Sequence, residues 1–316
     1  MRSTRRLALG ASILASLAIV GSAGGGAIVS AQEQPTVRIG SDGFYESALM
    51  AEIYAQALEA AGFEVDRQLR LGTRVERAGA FTDGLIDLTP EYVGSGHGIF
   101  DPSVATVDGE QNARLLEEAY AAAGTQVTVL GLTEGEDSNA AVVRADTAEE
   151  FGLSSMSDLA AVQDQLRYGL TPECDTNPFC KDALEQYGVV WPPAERETLA
   201  ACSGPMAEAL NANVVDFAWL CSTQPAIKQF GFVVLEDDLN TQAAENLAPL
   251  VRNDFLEQVE GGAQTIAAIL DPVSAAVSTD VLFDLGVRVG VDQEDLEDVA
   301  AEFLASLEMS DAEMAE

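Results

Sequence analysis

The sequence predicts an α/β protein of two lobes, each a mainly parallel sheet flanked by helices. Apolar runs of period two alternate with runs of period 3.6 along most of the chain. The strand-like runs are separated by helix-length segments, the spacing that parallel strands need for their crossovers. At 316 residues the chain is also longer than one hydrophobic core commonly serves, so two lobes are expected.

Residues 1–31, MRSTRRLALGASILASLAIVGSAGGGAIVSA, read as a secretory signal. Arg2, Arg5 and Arg6 precede an apolar stretch, and small residues ending in Val29-Ser30-Ala31 follow it, with cleavage expected after Ala31. The run from Leu7 to Val20 is shorter than the ~20 apolar residues a spanning helix needs. No cysteine precedes Cys174, so no lipid attachment is offered and a periplasmic or secreted chain is expected. Thr4-Arg5-Arg6 leaves Sec and twin-arginine export both open.

TVRIGS (36–41) alternates as a strand. SALMAEIYAQALEAAG (47–62) then carries Leu49, Ile53, Ala57 and Ala61 at helical spacing, stopped by Gly62. FEVDRQLRLG (63–72) reads as a strand, RVERAGAFTDG (74–84) as a helix and LIDLTPEY (85–92) as a third strand. NARLLEEAYAAAG (helix), QVTVLGL and AAVVRA (strands) continue the alternation. They are followed by a helix around SDLAAVQDQL, the strand RYGL, the helices KDALEQYG and GPMAEALNAN, and the strands VVDFAWLC and FVVLED. From about Thr265 helices dominate.

Charge excludes some functions. Asp and Glu number 52 against 16 Lys and Arg, a formal charge of −36, and Lys181 and Lys228 are the only lysines. Nucleic acid and anionic membrane surfaces are poor partners for such a chain. Cys174, Cys180, Cys202 and Cys221 are even in number on an exported chain, so disulfides are expected, with three pairings open. Cys174 with Cys180 would close the short loop CDTNPFC; Cys202 with Cys221 would tie a helix start to a strand end, and this pairing is favoured. Without a CxxC, and with His97 as the only histidine, no metal and no cofactor is expected.

In open α/β sheets ligands bind beyond the carboxyl ends of the strands. Ser41, Tyr92 and Cys221 stand just past such ends, which makes their loops the candidate site. Tyr92, between Glu91 and the turn VGSG, sits where glycine lets a loop bend closely around a ligand.

IGSDGFYES, LMAEIYAQALEAAGFEVDRQLRLGTR and GLIDLTPEYVGSG resemble, almost continuously, the substrate-binding proteins of ABC importers for glycine betaine, choline and related quaternary amines. The similarity returns at SDLA, ALNANVVDFAWLCSTQPAI and LEDDLNTQAAENLAPLVRNDFL. The resemblance implies a type II periplasmic-binding fold whose lobes are joined by two crossover strands and close over a solute. It places lobe 1 at 36–140 and 240–316, and lobe 2 at 141–239. It implies a small cationic or zwitterionic solute and a permease as partners, and no enzyme activity.

Such families hold a methylated ammonium group against aromatic faces, each contributing ~0.5–2 kcal/mol once water is excluded. Tyr92 in PEY matches a cage tyrosine. The positions of three further rings fall at Ala140 after Asn139, near Cys221 and near Glu245, and the arginine that clamps a carboxylate falls at Asn177. One ring of four therefore remains and the clamp is missing, which favours a choline-like cation without a carboxylate. Glu245 would pair with such a cation, and Trp219, Phe44 and Tyr45 are the other π faces on offer.

Asn139 at the first crossover, and Thr223 and Gln224 beyond a strand of the second lobe, are further ligand candidates. Each has an ordinary alternative in hinge or loop hydrogen bonding. Ser41 and Asp42 are helix-capping types by default, though Asp42 is also placed to meet a cation. Trp219 sits in a run typical of core, and His97 is expected at the surface. A sensor domain for a membrane receptor would carry the same motifs. An enzyme would have to use carboxylates such as Asp87 and Glu91, because no nucleophile with an activating base is visible.

Overall fold

The computed structural model describes residues 34–172, 174–200 and 202–314, with side chains described to Leu307; the expected signal segment, 1–31, lies outside them. The first stretch runs β1 (Val37–Gly40), α1 (Tyr45–Ala60), β2 (Val65–Gln68), α2 (Arg74–Thr82), β3 (Leu88–Tyr92), α3 (Gly109–Ala122) and β4 (Val127–Val129). The chain then enters a second sheet through β5 (Asn139–Val143), α4 (Ala145–Phe151), β6 (Tyr168–Leu170), α5 (Ala183–Gln186) and β7 (Arg196–Thr198). It continues as α6 (Gly204–Asn211), β8 (Phe217–Cys221), α7 (Ala226–Phe230) and β9 (Val233–Val234). It returns to the first sheet as β10 (Leu247–Arg252), followed by α8 (Asn253–Leu256), α9 (Ala263–Ala275), α10 (Thr279–Gly290) and α11 (Leu296–Met314).

Both sheets are five-stranded, in the orders β2-β1-β3-β10-β4 and β7-β6-β8-β5-β9. They are mixed rather than mainly parallel: β10 runs antiparallel to β3 and β4, and β5 antiparallel to β8 and β9. The reason is the crossing itself, since each strand that arrives from the other sheet enters against the direction of its neighbours. Apolar clusters cover both faces of each sheet. Ile39, Leu49, Leu88 and Leu270 share one side of the first sheet, and Phe81, Ile86 and Tyr120 belong to another cluster; the second sheet has Phe217 and Trp219 in one cluster and Leu210 and Leu220 in another. Sheets covered on both faces are what near-continuous apolar strands require.

Local chemistry fixes the helices that border the cleft. Thr73 and Glu76 form a reciprocal capping box at the start of α2, with Thr73 N donating to Glu76 Oε2 across 2.7 Å. The Ser203 hydroxyl caps α6 by accepting from Met206 N at 3.2 Å. The segment SDLAAVQDQL is two 3₁₀ turns, 156–161 and 163–165, rather than an α-helix. KDALEQYG begins in a π turn before α5. Both expected disulfides are formed, Cys174–Cys180 and Cys202–Cys221, with Cα separations of 5.1 and 5.0 Å. Among the described residues no single helix is long and apolar enough to cross a membrane.

Candidate functional site

Strand register brings the candidate residues together. Leu247 lies opposite Tyr92, and Asn139 opposite Cys221. The two crossovers therefore run side by side past the carboxyl ends of β3 and β8, joined where Asp137 N donates to Glu245 O at 3.2 Å. Between them and the starts of α1 and α2 lies a cleft of about 640 Å³. Gly94 permits the close approach: a Cβ there would stand 2.6 Å from Ala244 O and 2.9 Å from Glu245 Oε1.

Tyr92 forms one wall of the cleft, and the Phe44 ring stacks with it at 6.0 Å between centroids. Phe179, carried on the loop that Cys174–Cys180 closes, faces the cleft from the second sheet, as does Asn177. The Arg74 guanidinium lies 6.0 Å from the centre of the Tyr92 ring and donates through Nε to Glu91 at 3.2 Å. Asn139 Nδ2 donates to Gln242 Oε1 at 3.2 Å, tying one crossover to the other.

Three carboxylates line the same cleft. Glu245 accepts from Ser95 N at 2.8 Å and from Ser95 Oγ at 2.7 Å. Burial pushes it up to about 7, against the pull of those two donors. Glu46, in the first turn of α1, receives the Tyr92 hydroxyl on Oε1, and its Oε2 lies 2.8 Å from Thr223 Oγ1. The same Thr223 oxygen lies 2.7 Å from Asp137 Oδ1, which also accepts from Thr223 N at 3.1 Å. Burial, then the charge of Asp137, raises Glu46 to about 8; burial raises Asp137 as well. The Tyr92 hydroxyl is raised far above its ordinary value by burial and by Glu46.

Four sequence expectations need correction. Trp219 does not reach the cleft: its ring is in the core of the second sheet, edge-on to Phe217 at 5.4 Å, because alternate residues of β8 point to that face. Ser41 and Asp42 are buried behind the cleft. Ser41 Oγ accepts from Arg70 N at 2.8 Å, and Asp42 accepts from Arg77 Nε at 3.0 Å. His97 is buried rather than at the surface, 3.1 Å from the Asn112 carbonyl through Nε2. Burial drives Glu91 upward, but the charges of Arg77 and Arg74 outweigh it, so Glu91 stays ionised below its usual range and orders those two arginines.

Gln224, Thr223, Phe44, Tyr45, Asn139 and Glu245 all lie on the cleft wall with Tyr92. Sequence reasoning missed Glu46, Asp137, Arg74 and Phe179. Glu46 follows the FY pair beyond β1, where the strand-end rule already pointed. Asp137 sits in EGEDS, where its neighbours conceal it.

Two α/β halves joined by paired crossovers, with a cleft at the strand ends, are the architecture of a solute-binding protein, and the structural neighbours are type II periplasmic-binding proteins. Residues 35–306 match the substrate-binding domain of ABC-type glycine betaine transport systems, and the chain belongs to that family. The glycine-betaine-binding protein of Pseudomonas aeruginosa is 28% identical over 279 residues, covering 85% of this chain and 87% of the relative. The structure of apo YehZ from Escherichia coli has a TM-score of 0.67 at 25% identity, covering 86% of this chain and 98% of that one. A glycine betaine/carnitine/choline ABC transporter structure has a TM-score of 0.72 at 18% identity over 85% and 98% of the two chains, a likeness of fold alone.

Proposed function

We propose that this chain is the exported solute receptor of an ABC importer, and that it captures a quaternary ammonium ion in the cleft and presents it to a permease. The observation that carries this reading is the pairing of aromatic faces with carboxylates in one cavity: Tyr92 and Phe44 stacked at 6.0 Å, with Glu245, Asp137 and Glu46 around them. A methylated ammonium cannot donate a strong hydrogen bond, so it is held by π faces and by unneutralised charge. By the family resemblance the carboxylate clamp falls at about Asn177, which is no arginine, and the arginine on the cleft wall, Arg74, already shares its charge with Glu91. A cation without a carboxylate is thus the preferred solute over glycine betaine.

In this reading residues 1–31 are the export signal, and the lobes are 36–140 with 240–316, and 141–239. No catalytic step is assigned. Asp87 and Glu91, the carboxylates an enzyme would need, are engaged by Arg38 at 2.5 Å and by Arg77.

Thermal-shift and calorimetric titration with choline, tetramethylammonium, carnitine and glycine betaine tests the assignment. At a hundredfold excess over its dissociation constant a ligand stabilises the fold by ~2.7 kcal/mol. Choline is expected to bind more tightly than glycine betaine. Tyr92→Ala should weaken choline by ~1–2 kcal/mol, about five- to thirtyfold. Stabilisation by none of the methylated amines would overturn the proposal.

A further inference from the structure

The Thr223 hydroxyl has one hydrogen, yet its oxygen lies 2.8 Å from Glu46 Oε2 and 2.7 Å from Asp137 Oδ1. It can donate to only one of them. The remaining contact is a hydrogen bond only if a carboxyl group supplies the second hydrogen. Asp137 Oδ1 already takes the Thr223 amide at 3.1 Å, the arrangement of an ionised acceptor. Glu46 Oε1 takes the single hydrogen of the Tyr92 hydroxyl, so Glu46 Oε2 is the atom left to carry the extra proton. The order Tyr92 to Glu46 to Thr223 to Asp137 is then fully satisfied with Glu46 neutral.

We propose that the cleft exchanges a proton for its solute: Glu46 carries a carboxyl proton when no solute is bound and releases it to solvent as a carboxylate-free quaternary ammonium ion enters. The inference rests on the cation-capture reading above and deepens it. The O–H bond of Glu46 breaks, the proton passes to the buffer, and the ammonium ion replaces it as counterion between Glu46 and Asp137. Charge within the cleft is conserved by the exchange.

The surroundings of Glu46 fit this role. Tyr45 on α1, Tyr92 on β3 and Asp137 on the first crossover are the titratable groups that face it, and the turn after β8 contributes the uncharged Thr223. Glu245 and Arg74 stand one layer further out, facing Asp137 and Tyr92. Where α10 packs on Tyr45 it does so through Gly286, which adds no charge. Glu46 is raised to about 8 in these surroundings, and an opposite charge within about 4–6 Å lowers a carboxyl by about 1–3 pH units. A bound cation therefore suffices to discharge the proton near neutrality. A zwitterion adds a carboxylate of its own to a cleft that already holds three, and gains nothing from the exchange.

Calorimetric titration of the full chain with tetramethylammonium chloride, in phosphate and in Tris at pH 7, counts the protons released. Release of about 0.4–0.9 proton per cation is expected at pH 7, with affinity rising about five- to fiftyfold in all between pH 6 and 8. Glycine betaine should release none. Glu46→Gln, whose amide reproduces the neutral carboxyl's hydrogen bonds, should release none with either ligand and bind the cation with little pH dependence.

A second measurement needs no ligand. Between about 4.5 and 8 the folded chain keeps a proton on Glu46 that the unfolded chain has lost, so stability falls as pH rises through that window. The melting temperature of the wild type should therefore drop by several degrees relative to Glu46→Gln between pH 5 and 8. Cation binding without proton release, at an affinity independent of pH, would overturn the exchange and leave the capture reading standing. Failure of every methylated amine to bind would overturn both, and matching melting profiles for the two proteins would overturn the proton on Glu46.

Discussion

Arg77 is fully buried, and it donates to Asp42 across 3.0 Å and to Glu91. Two carboxylates that the sequence places near the ligand are thereby neutralised behind the wall, while Glu46, Asp137 and Glu245 face the cleft without a buried arginine partner of that kind. The same residue type thus has opposite meanings a few ångströms apart, decided by where one guanidinium goes. Arg77→Met keeps the volume but leaves Asp42 and Glu91 buried with no full partner. That should cost about 3–5 kcal/mol, read from the denaturant midpoint. The loss should depend on pH in a defined direction. Glu91 is held below its usual range, so its contribution is complete above the ordinary carboxylate value and is lost as pH falls through the folded value. Wild type and variant should converge in acid, and an equal gap at pH 3 and pH 7 would refute the account.

At the level of elements, the crossovers and the loop after β3 form one fitted unit. Gly94→Ala drives a Cβ to 2.6 Å from Ala244 O, so the second crossover must shift and carry Glu245 with it. Gly98, four residues on and also on the cleft, meets nothing within 4 Å. Melting and choline titration should show Gly94→Ala destabilised by about 1–3 kcal/mol with weakened binding, and Gly98→Ala close to wild type. Equal effects would mean that the close approach at Gly94 does not set the site. The elements around this unit were unevenly legible. β1, α1, α2 and β3 could be read because their apolar period matches their geometry and a capping box or glycine marks their ends. β10 escaped because Pro249 stands in mid-strand, where a proline ordinarily argues against a central position. It is tolerated because it faces Pro90 in a pair that exchanges no amide hydrogen bonds, and on its other side it meets Leu130, just past the end of β4, where its carbonyl still accepts from Leu130 N at 3.0 Å. β7 is three exposed polar residues and α7 only five residues long, so neither carries a period to detect. Tyr92 was legible as a cleft residue from its strand-end position. Glu46 and Asp137 were not, because what joins them is Thr223, 177 residues from Glu46.

For the whole molecule, the formal charge of −36 is the number of carboxylates left without a cation to balance them. Self-repulsion on that scale opposes the folded state, and salt relieves it because the screening length falls from about 10 Å at 0.1 M to about 3 Å at 1 M. The ion pairs that salt would weaken include exposed ones such as Lys228–Asp284 at 3.8 Å, which contribute little. The buried cluster of Arg77, Asp42 and Glu91 is sheltered from solvent and is screened far less. The balance predicts a melting temperature that rises by several degrees as sodium chloride goes from 0.1 to 1 M, the reverse of a fold held together by surface ion pairs. The same argument separates capture from encounter. The charges that hold a cation lie inside the cleft and are little screened, whereas the field that draws it in is the long-range charge of the surface. Stopped-flow measurements should therefore find the association rate of a cationic solute falling with salt and its dissociation rate changing much less. A dissociation rate that carries the whole salt dependence would place the recognising charges at the surface and not at Glu46, Asp137 and Glu245.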